Sequence, residues 1–232
     1  MKPTSHPVRP SFACLAIAVT VLVGAPAASA AAPATGAATA EIQVKEHNGI
    51  QPEATSPLSY RFGEILAKLE GAELETTFFA AIIPHHQMAI EMSQMELERG
   101  SDRHIRDHAR DIIKGQQEQI DLFTHWLHQW YGLTPDQAAA QAPPEARAVM
   151  AAMDEESKTQ MQRLETVEDG KAFDIEFVRM MIPHHTGGII EFLEPQARAV
   201  HAHLRKEAAS GIATQEEEIV DFRQWLDEQS RK

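Results

Sequence analysis

The chain has 232 residues, a formal net charge of −13 at pH 7, 12 histidines and one cysteine. An acidic balance of this size argues against nucleic acid and against anionic membrane surfaces as partners, and favours solubility with a mild attraction for cations.

The first 30 residues read as a secretory signal peptide. Lys2 and Arg9 make a positive n-region, residues 12–25 are an apolar stretch of fourteen, and Ala28-Ser29-Ala30 is a small-residue cleavage site. Fourteen residues fall short of the roughly 20 that a membrane span needs. An uncleaved anchor helix is the alternative. Cleavage near Ala30 implies a periplasmic or secreted protein that meets no membrane afterwards. It also removes Cys14, leaves a mature charge of −15, and excludes disulfides and thiolate metal sites. Any soft metal ligand must then be methionine or histidine. Residues 31–57 are rich in Ala, Thr, Pro and Gly without periodicity, as in a flexible linker.

Beyond the linker the chain repeats. Ile83-Pro84-His85-His86 recurs as Ile182-Pro183-His184-His185, 99 positions later, and the register continues without a gap. Phe78 matches Phe177, His104 matches His203, Gln116 matches Gln215, and Phe123, Trp126 and Leu127 match Phe222, Trp225 and Leu226. Two copies in one register share one structure. Ile105, Ala109, Ile112, Gln116, Ile120, Phe123 and Leu127 recur at helical steps. Gly100-Ser101-Asp102 separates this helix from the motif helix, and further helices are expected at about 58–69 and 144–167. No segment alternates as a strand does. The predicted fold is all-α: a ferritin-like four-helix bundle of two tandem helical hairpins with additional short helices. The repeats are placed at 58–132 and 133–232, the second including the connecting helix, as one compact domain 58–232.

On a helical wheel, His86 and His185 share the arc of the apolar residues and point inward. Approximate two-fold packing could bring them together. His85 heads another stripe with Met88, Met92 and Met95, spread over about 80° and off the core arc. Thioethers beside an imidazole suit Cu(I); packing against a neighbouring helix or subunit is the other reading. In the second copy His184 is followed by Gly187, Glu191 and Glu194, which make either a harder oxygen site or a solvated face. Asp174 and Glu75 stand eleven residues before the inner histidines and could meet the histidine of the other copy if the motif helices run antiparallel. Pro84 and Pro183 each free a carbonyl, of Ala80 and Arg179, and are expected to kink or restart the helix. His104, His108 and Asp111 form a possible two-histidine, one-carboxylate surface set. Gln116 and Gln215, with Gln119 and Glu218, are candidate partners for the inner histidines.

The combination Asp174-x-x-Phe177-x-x-Met180-Met181-Ile182-Pro183-His184-His185, then Gln215-x-x-Glu218-Ile219 and Trp225-Leu226, resembles the domain of unknown function 305 family. That resemblance implies exported ferritin-like bundles, of which the CopM-like members are linked to copper binding and copper resistance. By it, His85, His86, Met88 and Met92 take the family's His-His and Met places, and Gly187 and Glu191 depart from them.

The candidate metal ligands are therefore His85, His86, Met88, Met92, Met95, His184, His185, Glu191 and Asp174, with copper as Cu(I), or another divalent ion, as the bound species. A second copy of the chain or a metal-transfer protein are open partners. Two other readings stand beside copper binding. One is a non-haem metal oxidase of ferritin type, although neither motif helix carries the Glu-x-x-His that such sites use. The other is an interaction module whose histidines only pack.

Overall fold

The computed structural model describes residues 49–231. The signal peptide and the linker up to residue 48 lie outside the described residues. Among those described there are seven helices and no strand: α1 (Pro57–Leu66), α2 (Gly71–Arg99), α3 (Arg103–Tyr131), α4 (Pro135–Gln141), α5 (Pro144–Glu165), α6 (Lys171–Arg198) and α7 (Ala202–Gln229). The all-α bundle read from the repeat is present. α2 and α3 form one hairpin, α6 and α7 the other, and α2 packs on α6 between them. None of these helices is long and apolar enough to cross a membrane.

The repeat extends to the helix boundaries. Gly71 and Gly170 are equivalent in the 99-residue register and both hold φ above zero, at 58° and 85°. A side chain there would strain the backbone. Each glycine turns the chain into a motif helix. The predicted restart at proline does not occur: α2 runs unbroken through Pro84, and α6 through Pro183 and Pro195. The carbonyl freed by Pro183 is used instead, since Arg179 O accepts the Glu53 N–H at 3.0 Å. Gln51 O accepts from Arg179 Nε at 2.8 Å, and Ser230 Oγ accepts from Ile50 N at 2.7 Å. The described end of the predicted linker is thus held along α6 and α7.

Reciprocal contacts hold the hairpins antiparallel. Asp174, at the start of α6, accepts from Ser101 N and Ser101 Oγ, each at 2.8 Å, and from Asp102 N at 3.1 Å. It therefore anchors the Ser101–Asp102 turn that leads into α3 and supplements its cap, which is Asp102 accepting from His104 N at 2.9 Å and Ile105 N at 3.3 Å; a carboxylate there is also favoured by the helix dipole. Its equivalent, Glu75, does the same for α7, accepting from His201 N at 2.9 Å and pairing with His201 Nδ1 at 2.7 Å. Tyr131 Oη donates to Glu75 as well, at 2.6 Å. Arg99 and Arg198 are likewise equivalent. Arg99 donates to Glu165 O at 3.1 Å at the end of α5, and Arg198 to Leu66 O at 3.0 Å at the end of α1. Two matching arginines thus satisfy the orphan carbonyls of two matching cover helices.

Two apolar clusters fill the bundle. One is built around Phe62, Phe78, Phe79, Phe123 and Phe192, the other around Phe173, Phe177, Met181 and Phe222. Between them lies a polar layer carrying the four motif histidines. α4 has no counterpart in the sequence reading, yet its start is legible as a capping box. Thr134 accepts from Gln137 N, Gln137 accepts from Thr134 N, and Pro135 is the first helical residue.

Candidate metal centre

The antiparallel crossing of α2 and α6 brings the motif histidines together. His85 and His184 stack face to face, with ring centroids 3.9 Å apart and planes 26° apart. Equivalent residues in mutual contact must straddle the pseudo-two-fold axis, so the first histidine of each pair marks the centre. The second histidines flank it: His86 lies 6.0 Å from His85, and His185 lies 6.1 Å from His184, centroid to centroid. The reading that the inner pair would meet is therefore corrected. His86 and His185 are fully buried as expected, but their rings pack on phenylalanines and not on each other. His86 rests on Phe123 and Phe192, and His185 on Phe222.

Each flanking histidine faces a polar side chain from the second helix of its own hairpin, as a hydrogen bond at His86 and as a close contact without hydrogen-bond geometry at His185. Gln119 Oε1 is 2.8 Å from His86 Nε2, and Glu218 Oε2 is 2.7 Å from His185 Nε2. Gln119 and Glu218 occupy the same register position. The Gln119 amide in turn donates to Glu207 Oε1 at 2.8 Å. Gln116 and Gln215 instead line a cleft of about 340 Å³ between α3 and α7, together with Gln119 and Glu218. Their Oε1 atoms are buried without hydrogen-bond partners among the described residues.

The methionine stripe is not on a free face. Met92 is fully buried and Met88 nearly so, both inside the second apolar cluster, with Met95 packed against it. A wheel reports one helix, and the face it leaves open is covered by α5 and α6. α5 adds what the sequence reading missed. His85 and Met88 line a groove of about 800 Å³ that Met150, Met153 and Met161 close from the α5 side. These three methionines fall within about 80° on the wheel, a stripe that could have been read beforehand.

Gly187 and Gly188, where copy one has Met88 and Ala89, are explained by packing. A Cβ on Gly188 would stand 2.5 Å from Gln215 Oε1 and 3.1 Å from His85 Cε1, and one on Gly187 would stand 2.9 Å from Ser59 Oγ. The glycines admit the His85 ring and α1. The second stripe is no solvated face either, since Glu191 is fully buried and neither of its oxygens has a partner among the described residues. Asp174 is the one proposed ligand whose oxygens are already engaged, at the α3 cap.

Burial governs the electrostatics. It holds His85 down to about 3, helped by His86 and His185. It holds His86 down to about 4 against the raising effect of Gln119, and keeps His184 well below the ordinary imidazole value. At neutral pH these three rings are uncharged, the form that ligates metals. Burial pushes Glu191 up to about 8. Nδ1 of His85, His86, His184 and His185 is buried without a partner among the described residues, so these nitrogens are available to a metal ion, although no three of the motif imidazole and carboxylate groups described converge within 4.8 Å. Nearly parallel rings cannot both aim in-plane lone pairs at one ion about 2.0 Å away. Joint ligation by His85 and His184 therefore requires one ring to turn.

Two pseudo-symmetric hairpins enclosing four motif imidazoles, His86 and His185 fully buried and His85 and His184 partly so, define a helical-bundle protein with a histidine centre. The model of a domain of unknown function, DUF305, matches residues 75–226, and the chain belongs to that family. Among solved structures, CopM in its Cu(I)-bound form is 27% identical, with a TM-score of 0.53, covering 65% of this chain and 94% of that one. CopM in its Cu(II)-bound form is 25% identical, with a TM-score of 0.53, covering 66% and 97%. A DUF305 protein from Streptomyces coelicolor is 25% identical, with a TM-score of 0.56, covering 66% and 92%. None of the curated proteins matches the sequence.

Proposed function

We propose that this chain is an exported copper-binding protein that buffers or carries the metal, held chiefly as Cu(I). One observation carries the reading. His85 belongs both to the layer of motif imidazoles and to a groove lined by Met88, Met150, Met153 and Met161. Thioether sulfur and neutral imidazole nitrogen are the soft set that Cu(I) favours. His85 and Met88 are the principal ligands, with the α5 methionines completing the set. His184, His86 and His185 supply further nitrogens, Met92 and Met95 extend the sulfur stripe, and Glu191 offers a harder oxygen for a divalent ion. Asp174 serves the α3 cap. The copper-bound CopM structures support the reading, and export rests on the n-region, apolar stretch and cleavage site of residues 1–30.

The test is competition for Cu(I) between the mature chain and a chromophoric chelator. Leucine at Met150, Met153 and Met161 preserves volume, and a second variant carries His85→Ala, Met88→Ala and Met92→Ala. Loss of at least about tenfold in affinity in both is expected, the scale on which metal sites respond to lost ligand support. Competition curves equal to those of the unmodified chain would refute the reading. The packing alternative predicts instead that His86→Ala and His185→Ala lower stability equally with and without copper.

A further inference from the structure

The α3–α7 face carries a second group of ligand-type side chains that the copper reading leaves unused. His104 and His108 stand one turn apart on α3, with ring centroids 4.7 Å apart. Asp221 comes from α7 and places Oδ2 3.6 Å from His108 Nε2. One ligand atom from each of the three lies within 4.8 Å of the others. The carboxylate read from the sequence was Asp111, on the same helix; the structure brings up Asp221 from the neighbouring one.

We propose that His104, His108 and Asp221 form a surface site for a borderline divalent cation of the Zn(II) type, which ties α3 to α7. Two imidazoles at i and i+4 on one helix face chelate one ion without distorting the helix, as in the paired histidines of zinc motifs. Ligand atoms about 2.0–2.1 Å from a tetrahedral ion are roughly 3.3–3.4 Å apart. His108 and Asp221 are close to that spacing already, and exposed His104 can reach it by a change of rotamer. Water completes the coordination on the open side. Nitrogen and oxygen donors without sulfur select a borderline ion rather than Cu(I), so the two sites take different metals.

The pseudo-symmetry supplies an internal control. The register partners of the three ligands are His203, Glu207 and Leu122. Leu122 offers no donor atom, and Glu207 is already held by Gln119. The related corner of the bundle therefore lacks the set, and the α3–α7 face holds one ion. Because its ligands come from two helices, the ion binds the folded chain alone and stabilises it by mass action.

The experiment is calorimetric titration of the metal-free mature chain with Zn(II). The variants are His104→Gln, His108→Gln and Asp221→Asn, with His203→Gln as the control. The expected result is zinc uptake at this site weakened at least about tenfold by each of the first three changes and unaltered in the control. Thermal midpoints without zinc should match for the surface variants, and zinc should raise the midpoint of the unmodified chain and not of His108→Gln. No zinc uptake by the unmodified chain would overturn the proposal, as would uptake by His108→Gln equal to that of the unmodified chain. Failure of the Cu(I) competition leaves this outcome untouched, so the two sites are judged separately.

Discussion

Replacing Glu191 by glutamine isolates the cost of a buried carboxyl group. The side chain is fully buried on α6 and has no hydrogen-bond partner among the described residues. Burial raises its pKa from 4.5 to about 8. A carboxyl group whose folded value is raised penalises the fold only where the unfolded chain would ionise. The penalty is absent below pH 4.5, grows with pH, and levels off above about 8. At pH 7 the interval from 4.5 corresponds to about 3 kcal/mol, and at pH 5 to about 1 kcal/mol. Glutamine has nearly the same shape and no charge to desolvate, so the metal-free Glu191→Gln variant should be more stable at pH 7 by up to about 3 kcal/mol. In a domain of this size that is a rise in midpoint on the order of 10 °C. Urea unfolding of both proteins at pH 7 and pH 4.5 measures it. Equal stabilisation at the two pH values, or none at pH 7, would refute the argument from burial. If the carboxylate also helps to hold a divalent ion, the same variant will bind that ion more weakly while being the more stable protein, a common trade at functional sites.

Asp174→Ala should cost about 1–2 kcal/mol in urea unfolding, because the N–H groups of Ser101 and Asp102 leading into α3 lose a charged acceptor, while Cu(I) competition stays unchanged; a drop in copper affinity at full stability would restore Asp174 as a ligand. Gly188→Ala sets a methyl group against Gln215 and His85 and should destabilise by up to about 2 kcal/mol, overpacking of about 1–3 kcal/mol less about 1 kcal/mol gained in helix propensity, read from the unfolding midpoint. The rings of His85, His86 and His184 have folded values below the unfolded value of 6.5, so their contribution is present above pH 6.5 and is lost as the pH falls. Each should cost about 1.4 kcal/mol per pH unit below 6.5 until its own folded value is reached. Ring proton resonances of the metal-free protein should show these three histidines still neutral at pH 5, and a complete titration step between pH 7 and 5 would contradict their burial.

Much of the architecture was legible because it is local or repeated. Helical spacing in residues 105–127 is a property of one helix, and the register of 99 carries from one copy to the other. The candidate site was legible in its residue types and not in its pairings. The wheel put Met88 and Met92 off the apolar arc, but α5 and α6 cover that arc too. Gln116 was as good a sequence candidate as Gln119 for His86, and only the rotation of α3 against α2 selects Gln119. Asp111 and Asp221 are both aspartates within reach of His108 on paper; one is three residues away on the same helix, the other 113 residues away in the chain. The stripe of Met150, Met153 and Met161 could have been read from its spacing, although nothing local connects it with His85.

The sequence by itself determined that there are two copies of one helical hairpin, where their helices run, and that paired histidines sit at the same place in each. Those are consequences of backbone geometry and of a period that any one helix displays. Tertiary structure decided the rest: that His85 and His184 rather than His86 and His185 meet on the axis, that Asp174 and Glu75 cap the opposite hairpin, and that the Gly187–Gly188 step makes room for an imidazole. Each depends on the antiparallel crossing of α2 and α6 and on which face of each helix the cover helices occupy. That choice is made by side-chain packing between segments a hundred residues apart, which no spacing within a single helix records.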